Sequence, residues 1–474
     1  MNKIDYAIMR MKPSSFFLLL ICLYVQSLRA QENHSLEKEI LQLAKAQGIL
    51  EHQLGFVVTP IDTQKPVVRI NEKKLFSPAS TSKLITSWAA LEKWGSAHVF
   101  QTEIKQLNKS LCIEGGGDPS LVHEKVFTIA EQVSKIINDP VETLFVDDHI
   151  LPMQRSYATG FERDDQRAFT APISGLSMNY NAMTIRVQGT EIGKPPEVRL
   201  TPDLPLFKIE NKAITGQKNK NLRVEVSQKK DTWVIQVSGT VTTRHNRNYY
   251  RAMTNPPLYT GHAFATYYQM FTGKKIPEII HSPCHPDAKT IYTHRSRPLG
   301  EMIIFMNKYS TNVIAEMLFA QLGDTYGTVE GSDYINNLFK ATLPFEPNML
   351  IENGSGLSRH SQVTPDWFVQ FIHMTYKDFL FQPEIFASMG ISGIDGTLKR
   401  RTKHPKLIKN IRGKTGSLTG VTTLSGIMET PYWGKCLFAL FFEHPSIPTW
   451  KIVDLEKQIF ATLMSRATLK KTSE

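Results

Sequence analysis

Between residues 98 and 290 this 474-residue chain carries short β-like runs, and on both sides of that block it carries longer helical ones. The runs inside the block are Val99 to Ile104, Ser110 to Ile113, Leu144 to Val146, Met183 to Val187, Leu222 to Val226 and Trp233 to Val237. Turns that are polar or contain Gly or Pro separate them, and a helix near Tyr259 to Phe271 closes the block. Before the block, Leu36 to Leu54 places Ile40, Leu41, Leu43, Ala44, Ile49 and Leu50 at helical spacing. Gly55 to Ile61 and Pro66 to Ile70 then read as strands, and Ser80 to Trp94 as an apolar helix. After the block, Leu299 to Leu322 reads as two helices or one broken helix, and Trp367 to Tyr376 as another. Thr422 to Met428 and Lys435 to Phe442 read as adjacent antiparallel strands across a short link, and Trp450 to Met464 as a final amphipathic helix. This order fits one α+β domain interrupted by an insertion. The expected host is 31–97 with 291–474, and 98–290 is an inserted, mainly β region of one or two modules, which is a domain-sized length.

The N-terminus adds a compartment. Arg10 and Lys12 precede the apolar run Phe16 to Val25, and a polar stretch follows with Ala30 before Gln31. A basic flank, a short apolar core and a small residue before a polar start describe a secretory signal peptide over 1–30. An uncleaved N-terminal anchor is the alternative. No later segment is apolar for long enough to span a bilayer, so peripheral membrane contact is the most that is expected. The net charge of +11 favours anionic surroundings. However, Lys and Arg are spread along the chain, without basic runs interleaved with aromatics, which argues against nucleic acid. Three cysteines follow the signal: Cys112, Cys284 and Cys436. That count permits one disulfide and one free thiol, whereas a chain this large folds without staples, which favours three unpaired thiols. The 14 His show no HExxH-type spacing, so no metal is expected.

Three short patterns carry chemistry. Ser80-Thr81-Ser82-Lys83 opens a helix, where positions three apart share a face, so Lys83 can approach the Ser80 hydroxyl. A serine needs a neighbour to take its proton before it attacks, and a lysine serves once burial lowers its pKa. Alone the pattern is weak, because average composition gives about one or two chance matches in such a chain. Ser310-Thr311-Asn312 is a polar knot between the apolar stretches Met302 to Met306 and Val313 to Leu318, and its polar groups need partners. Lys414-Thr415-Gly416 lies on a strand-like run, where Lys414 offers a cation for a carboxylate and Gly416 lets a ligand backbone approach. S-x-x-K, then a middle Ser/Asn motif, then K-T-G is the order found in β-lactamases and penicillin-binding proteins.

The surrounding residues sharpen the match. Pro78 to Leu84, Gly115 to Pro119, Ala171 to Ser177, Gly354 to Arg359, Asp395 to Leu398 and Gly413 to Ser417 resemble segments of the D-alanyl-D-alanine carboxypeptidase/endopeptidase family, the low-molecular-mass class C penicillin-binding proteins. The long gap between Lys83 and Ser310 also resembles this family, which carries an accessory region there, and compact β-lactamases need fewer residues. The resemblance implies a serine β-lactamase/DD-peptidase (transpeptidase-like) α+β domain with an antiparallel sheet and helices, interrupted by the β-rich region. It implies Ser80 as nucleophile, Lys83 as base, Ser310 as proton relay and Asn312 as a positioning group. Lys414 and Thr415 would hold a terminal carboxylate, and the backbone N–H groups of Ser80 and Ser417 would form an oxyanion hole. Asp164, Phe169, Arg359 and Leu418 fall at side-chain pocket positions, although Asn353 and Arg163 depart from the family's usual Asp and Trp. The implied partners are peptidoglycan stem peptides, with β-lactam antibiotics as covalent inhibitors and no cofactor. The implied place is periplasmic or otherwise extracytoplasmic. A β-lactamase or esterase of the same fold, or a non-catalytic wall-binding scaffold, are the alternatives.

Overall fold

The computed structural model describes residues 35–154, 167–229 and 232–471. The expected signal peptide and Asp164 lie outside them. The chain forms two compact units. Among the described residues, one gathers residues 35–76, Val363–Met374 and residues 391–471, and the other gathers Ser77–Gln362 and Thr375–Gly390.

The first unit is built on a six-stranded sheet among the described residues, in the order Gly390–Ile391, Ile411–Leu418, Val421–Thr430, Gly434–Glu443, Leu54–Pro60, Val68–Ile70. The expected hairpin is present: Val421–Thr430 and Gly434–Glu443 pair antiparallel, with Leu424 opposite Leu440. Side chains alternate across a strand, and Gly434–Glu443 uses both faces. Phe438, Leu440 and Phe442 enter a core with Leu36, Ile40 and Ala44 of the helix over residues 35–46. Ile452, Leu455, Ile459 and Phe460 of the helix Thr449–Lys471 join that core. Phe441 points the other way and meets Phe368 edge-on at 5.6 Å. Fully burying one such side chain contributes about 1.5–3 kcal/mol. The N-terminal helix stops at residue 46 rather than running to Leu54. Gly48 takes a φ of +82°, a left-handed turn that a helix cannot continue through.

The second unit holds the block of short strands. Its five-stranded sheet has the order Glu278–His281, Thr143–Asp147, Ser110–Gly115, Gln101–Leu107, Lys289–Arg295. Its pairings are parallel on one side and antiparallel on the other. Three- and four-stranded sheets share one apolar core with it. Short strands fill much of this block, the helix expected near Tyr259 to Phe271 is present as Pro256–Thr272, and His123–Ile136 adds a helix that was not expected. Helices His123–Ile136 and Pro256–Thr272 bury Val126, Ile129, Val133, Tyr259 and Phe264 in the core that holds Leu144 and Val146 of the sheet. A parallel pair of strands needs such a crossover. The expectation of three unpaired thiols is overturned: Cys112 on a central strand is bonded to Cys284, and among the described residues Cys436 alone stays free, buried. The strands bring the two cysteines to a Cα separation of 5.7 Å, within the range a disulfide needs. Among the described residues no helix is long and apolar enough to cross a membrane.

Candidate active site

The segment around Ser80 departs from a plain helix start. Ala79–Thr81 forms a single 3-10 turn, and the helix proper is Ser82–Trp94, ended by Gly95. Ala79 has a φ of +46°, a conformation that costs a non-glycine residue energy and persists where surroundings enforce it. Gly356, itself at a φ of +76°, packs against this turn so closely that an added Cβ would collide with the Ala79 carbonyl. The Gly354 to Arg359 segment therefore lies directly against the turn that bears Ser80.

Residues 82–91 of this helix are all buried, Lys83 completely so. The Lys83 Nζ lies 3.0 Å from Ser80 Oγ, 2.8 Å from Asn312 Oδ1 and 2.8 Å from the Ser355 carbonyl oxygen. Burial lowers the Lys83 pKa to about 7, although the Glu316 carboxylate pulls in the opposite direction. A neutral amine has two N–H bonds and one lone pair. The Asn312 and Ser355 oxygens only accept, so both N–H bonds go to them and the lone pair is left for the Ser80 hydroxyl. This arrangement can remove a proton from Ser80.

The second motif sits at a corner between two helices, Leu299–Tyr309 and Asn312–Ala320, so the broken-helix reading resolves into two. Ser310 caps the first in a left-handed conformation, φ 58° and ψ 44°, and Asn312 begins the second. Asn312 Nδ2 donates to the Phe169 carbonyl at 3.0 Å. Phe169 thus enters the site through its backbone, on the turn Ala168–Thr170. One turn before Ser310, Asn307 Nδ2 donates to Ser87 and Ser388 hydroxyls at 2.8 and 2.9 Å, tying this corner to the nucleophile helix.

Two buried groups, Glu316 and Ser355, were given no role from the sequence, although Ser355 falls in the Gly354 to Arg359 segment. Glu316 follows Asn312 by one helical turn, in the apolar run Asn312–Ala320. Its carboxylate accepts from Asn353 Nδ2 at 2.6 Å, from the Ser355 N–H at 3.0 Å and from the Gly354 N–H at 3.3 Å. A lone acid among apolar residues four after Asn312 was the available signal. Ser355 contributes only its backbone to Lys83, which no sequence pattern announces.

The third motif lies in the first unit. The strand Ile411–Leu418 pairs with Val421–Thr430, with Lys414 opposite Ser425 and Gly416 opposite Thr423. Lys414 is fully buried and donates to the Thr415 carbonyl at 2.7 Å. Thr415 Oγ1 donates to Thr397 Oγ1 at 2.8 Å, which gives the Asp395 to Leu398 segment a role in fixing this strand. Ser417 is exposed and Leu418 half-buried at the strand's end, and Arg359 is exposed in the second unit. Ser80, Lys83, Asn312 and the Phe169 backbone are thus gathered by direct hydrogen bonds. A possible cation cluster, Glu114, Asp147 and His149, has its ligand atoms within 4.8 Å of one another. Those atoms are already engaged with Lys105, with the Cys284 N–H and with each other.

A profile of the D-Ala-D-Ala carboxypeptidase 3 (S13) family matches residues 36–459. The chain belongs to that family. The curated relatives agree with this assignment. The D-alanyl-D-alanine carboxypeptidase of Actinomadura sp. (strain R39) is 25% identical over 419 residues, covering 81% of this chain and 77% of the relative. The D-alanyl-D-alanine carboxypeptidase DacB of Haemophilus influenzae is 24% identical over 428 residues, covering 82% and 85%. The crystal structure of penicillin binding protein 4 (dacB) from Haemophilus influenzae superposes with a TM-score of 0.75 at 21% identity, covering 90% of this chain and 99% of that one. Its likeness extends to the α+β fold of this D-Ala-D-Ala carboxypeptidase family member, antiparallel sheet and helices included. The family and its relatives make this chain a hydrolase of the carboxypeptidase class.

Proposed function

We propose that this family member hydrolyses the D-Ala-D-Ala bond of peptidoglycan stem peptides through an acyl-enzyme on Ser80. The observation that carries the reading is the Lys83 amine, buried and 3.0 Å from Ser80 Oγ, with its other hydrogens committed to Asn312 and Ser355. Lys83 takes the Ser80 proton as Oγ bonds to the carbonyl carbon of the penultimate D-alanine. The C–N bond then breaks, and the departing D-alanine amine receives a proton by way of Ser310. Water cleaves the ester and restores Ser80. The backbone N–H groups of Ser80 and Ser417 stabilise the oxyanion. Lys414 and Thr415 supply the charge and hydroxyl for the substrate's terminal carboxylate, with Gly416 leaving room for the peptide backbone. Asp164, Phe169, Arg359 and Leu418 shape the side-chain pocket.

The same serine accepts β-lactams, a reading supported by the β-lactam complex known for the Haemophilus influenzae neighbour. Endopeptidase action on cross-links accompanies the carboxypeptidase activity. The signal-like segment with Arg10, Lys12 and Phe16 to Val25 supports export, with cleavage after Ala30 and action in the periplasm or outside the cell. The region 98–290 serves as an accessory insertion in a host formed by 31–97 and 291–474.

Labelling with a fluorescent penicillin tests this. Stable labelling that disappears in Ser80→Ala is the expected result. Rapid turnover of the label would favour a β-lactamase, and no labelling of the wild type would favour a scaffold. Digestion of purified peptidoglycan, with identification of the products, separates carboxypeptidase from endopeptidase action.

A further inference from the structure

We propose that Glu316 is a positioning residue for catalysis: its carboxylate clamps the Asn353–Ser355 loop that anchors the general base, and its charge sets how readily Lys83 holds a proton. The inference rests on the reading of Lys83 as the base for Ser80.

The geometry has two layers. Lys83 Nζ donates to the Ser355 carbonyl at 2.8 Å. The same peptide segment is held from behind by Glu316, which accepts from the Ser355 N–H at 3.0 Å, the Gly354 N–H at 3.3 Å and Asn353 Nδ2 at 2.6 Å. Asn353 Oδ1 in turn accepts from the Ser358 N–H at 3.2 Å, closing the loop on itself. Glu316 is 2% exposed and Asn353 is fully buried. A carboxylate costs several kcal/mol to bury unless its lone pairs are satisfied and an opposite charge is near. Here the Asn353 amide, the Gly354 and Ser355 N–H groups and the Ser355 side chain satisfy it, and Lys83 is the nearby group that becomes a cation on protonation.

The charge matters because Lys83 and Glu316 act on each other. Burial lowers the lysine pKa and raises that of the glutamate, and each carboxylate–ammonium attraction opposes that drift. Other charges on the packed elements point elsewhere. On the nucleophile helix, Lys93 donates to the carbonyls of Leu322 and Gly323. On the helix before Ser310, Lys308 donates to the Met389 carbonyl. On the loop, Glu352 is bonded to Ser358 and His360. Glu316 is therefore the group whose charge bears on Lys83 among these.

The test is the pH dependence of the acylation rate constant with a fluorescent penicillin. Acylation needs neutral Lys83, so the rate rises with pH through the lysine's pKa. Glu316→Gln keeps the size and one acceptor oxygen, enough for the Asn353 and Ser355 donors, and removes the charge at the cost of the weaker 3.3 Å bond from the Gly354 N–H. The ascending midpoint is then expected to fall by roughly one pH unit or more, the size of effect an adjacent opposite charge exerts. A midpoint unchanged from wild type, with only a lower plateau, would mean a structural clamp and overturn the proposal. Ser80→Ala run alongside separates the two levels: if it still labels, the nucleophile reading fails, not this one alone. Should Glu316→Gln not fold, carboxyl-labelled glutamate followed by NMR in the wild type decides the matter. The Glu316 resonance is expected to move with pH at the acylation midpoint, because coupled groups titrate as a pair. That step should vanish in Lys83→Met, and its absence in the wild type would overturn the proposal.

Discussion

The Lys83 amine donates to the backbone oxygen of Ser355 at 2.8 Å, across a sequence separation of 272 residues. A carbonyl oxygen neither titrates nor donates, so it fixes the amine's orientation without competing for the proton that Ser80 gives up in the proposed mechanism. With the pKa of Lys83 drawn down to about 7 by burial, the base is largely neutral above neutral pH. The sign follows: activity rises as pH increases through about 7, because deprotonation of Lys83 creates the base. Lys83→Arg keeps a cation that does not deprotonate in this range. We expect it to lower kcat/KM for a D-Ala-D-Ala peptide by about 10²–10⁴, the usual worth of a general base, and to abolish the ascending limb.

Asn312 joins two parts of the site, accepting from Lys83 at 2.8 Å and donating to the Phe169 carbonyl at 3.0 Å. Asn312→Ala leaves both partners short of a bond. The cost of one unsatisfied buried group is about 1–3 kcal/mol, so kcat/KM should fall by roughly 10- to 100-fold. Asn312→Asp tests the electrostatics separately. A carboxylate beside Lys83 stabilises its ammonium, and the ascending limb of the pH profile should move upward.

Gly356 is predicted to be intolerant of any side chain. Its φ of +76° and the collision of an added Cβ with the Ala79 carbonyl act together. Gly356→Ala should cost about 1–3 kcal/mol of strain. Thermal unfolding should report a lower Tm, and penicillin acylation should slow at temperatures where the variant stays folded, because the nucleophile turn must shift.

The Cys112–Cys284 bond spans 172 residues of chain. Cys112→Ser with Cys284→Ser should lower stability by about 2–5 kcal/mol, read from denaturant unfolding. Penicillin labelling of Ser80 should persist in the folded variant, since neither cysteine touches the Lys83 network. Cys436 should stay unmodified by thiol reagents in the native state, because burial pushes its pKa up to about 12 and thiols react as thiolates.

Much of this was legible in the sequence, for particular reasons. The helix Ser82–Trp94, the helix pair flanking Ser310 and the antiparallel pair after Lys414 all follow from local apolar periodicity and turn residues. The Ser80–Lys83 contact follows from a spacing of one helical turn. The helix His123–Ile136 carried a readable signal, with Val126, Ile129, Ala130 and Val133 at helical spacing, but the surrounding short strands masked it. The disulfide and the Glu316 clamp depend on segments far apart in the chain. No local pattern reports that strand order brings Cys284 beside Cys112, or that Gly354 and Ser355 turn their N–H groups toward Glu316. The groups proposed as catalytic lie in short motifs, whereas Glu316, which holds the Gly354–Ser355 backbone in place, lies in none.

The most direct test is release of free D-alanine from a D-Ala-D-Ala-terminated pentapeptide by wild type and Ser80→Ala, with mass spectrometry of the penicillin-treated protein. The expected result is D-alanine release and a penicillin adduct on the Ser80 peptide in wild type, and neither in the variant. D-alanine release by Ser80→Ala at the wild-type rate, or an adduct on another residue, would contradict the account.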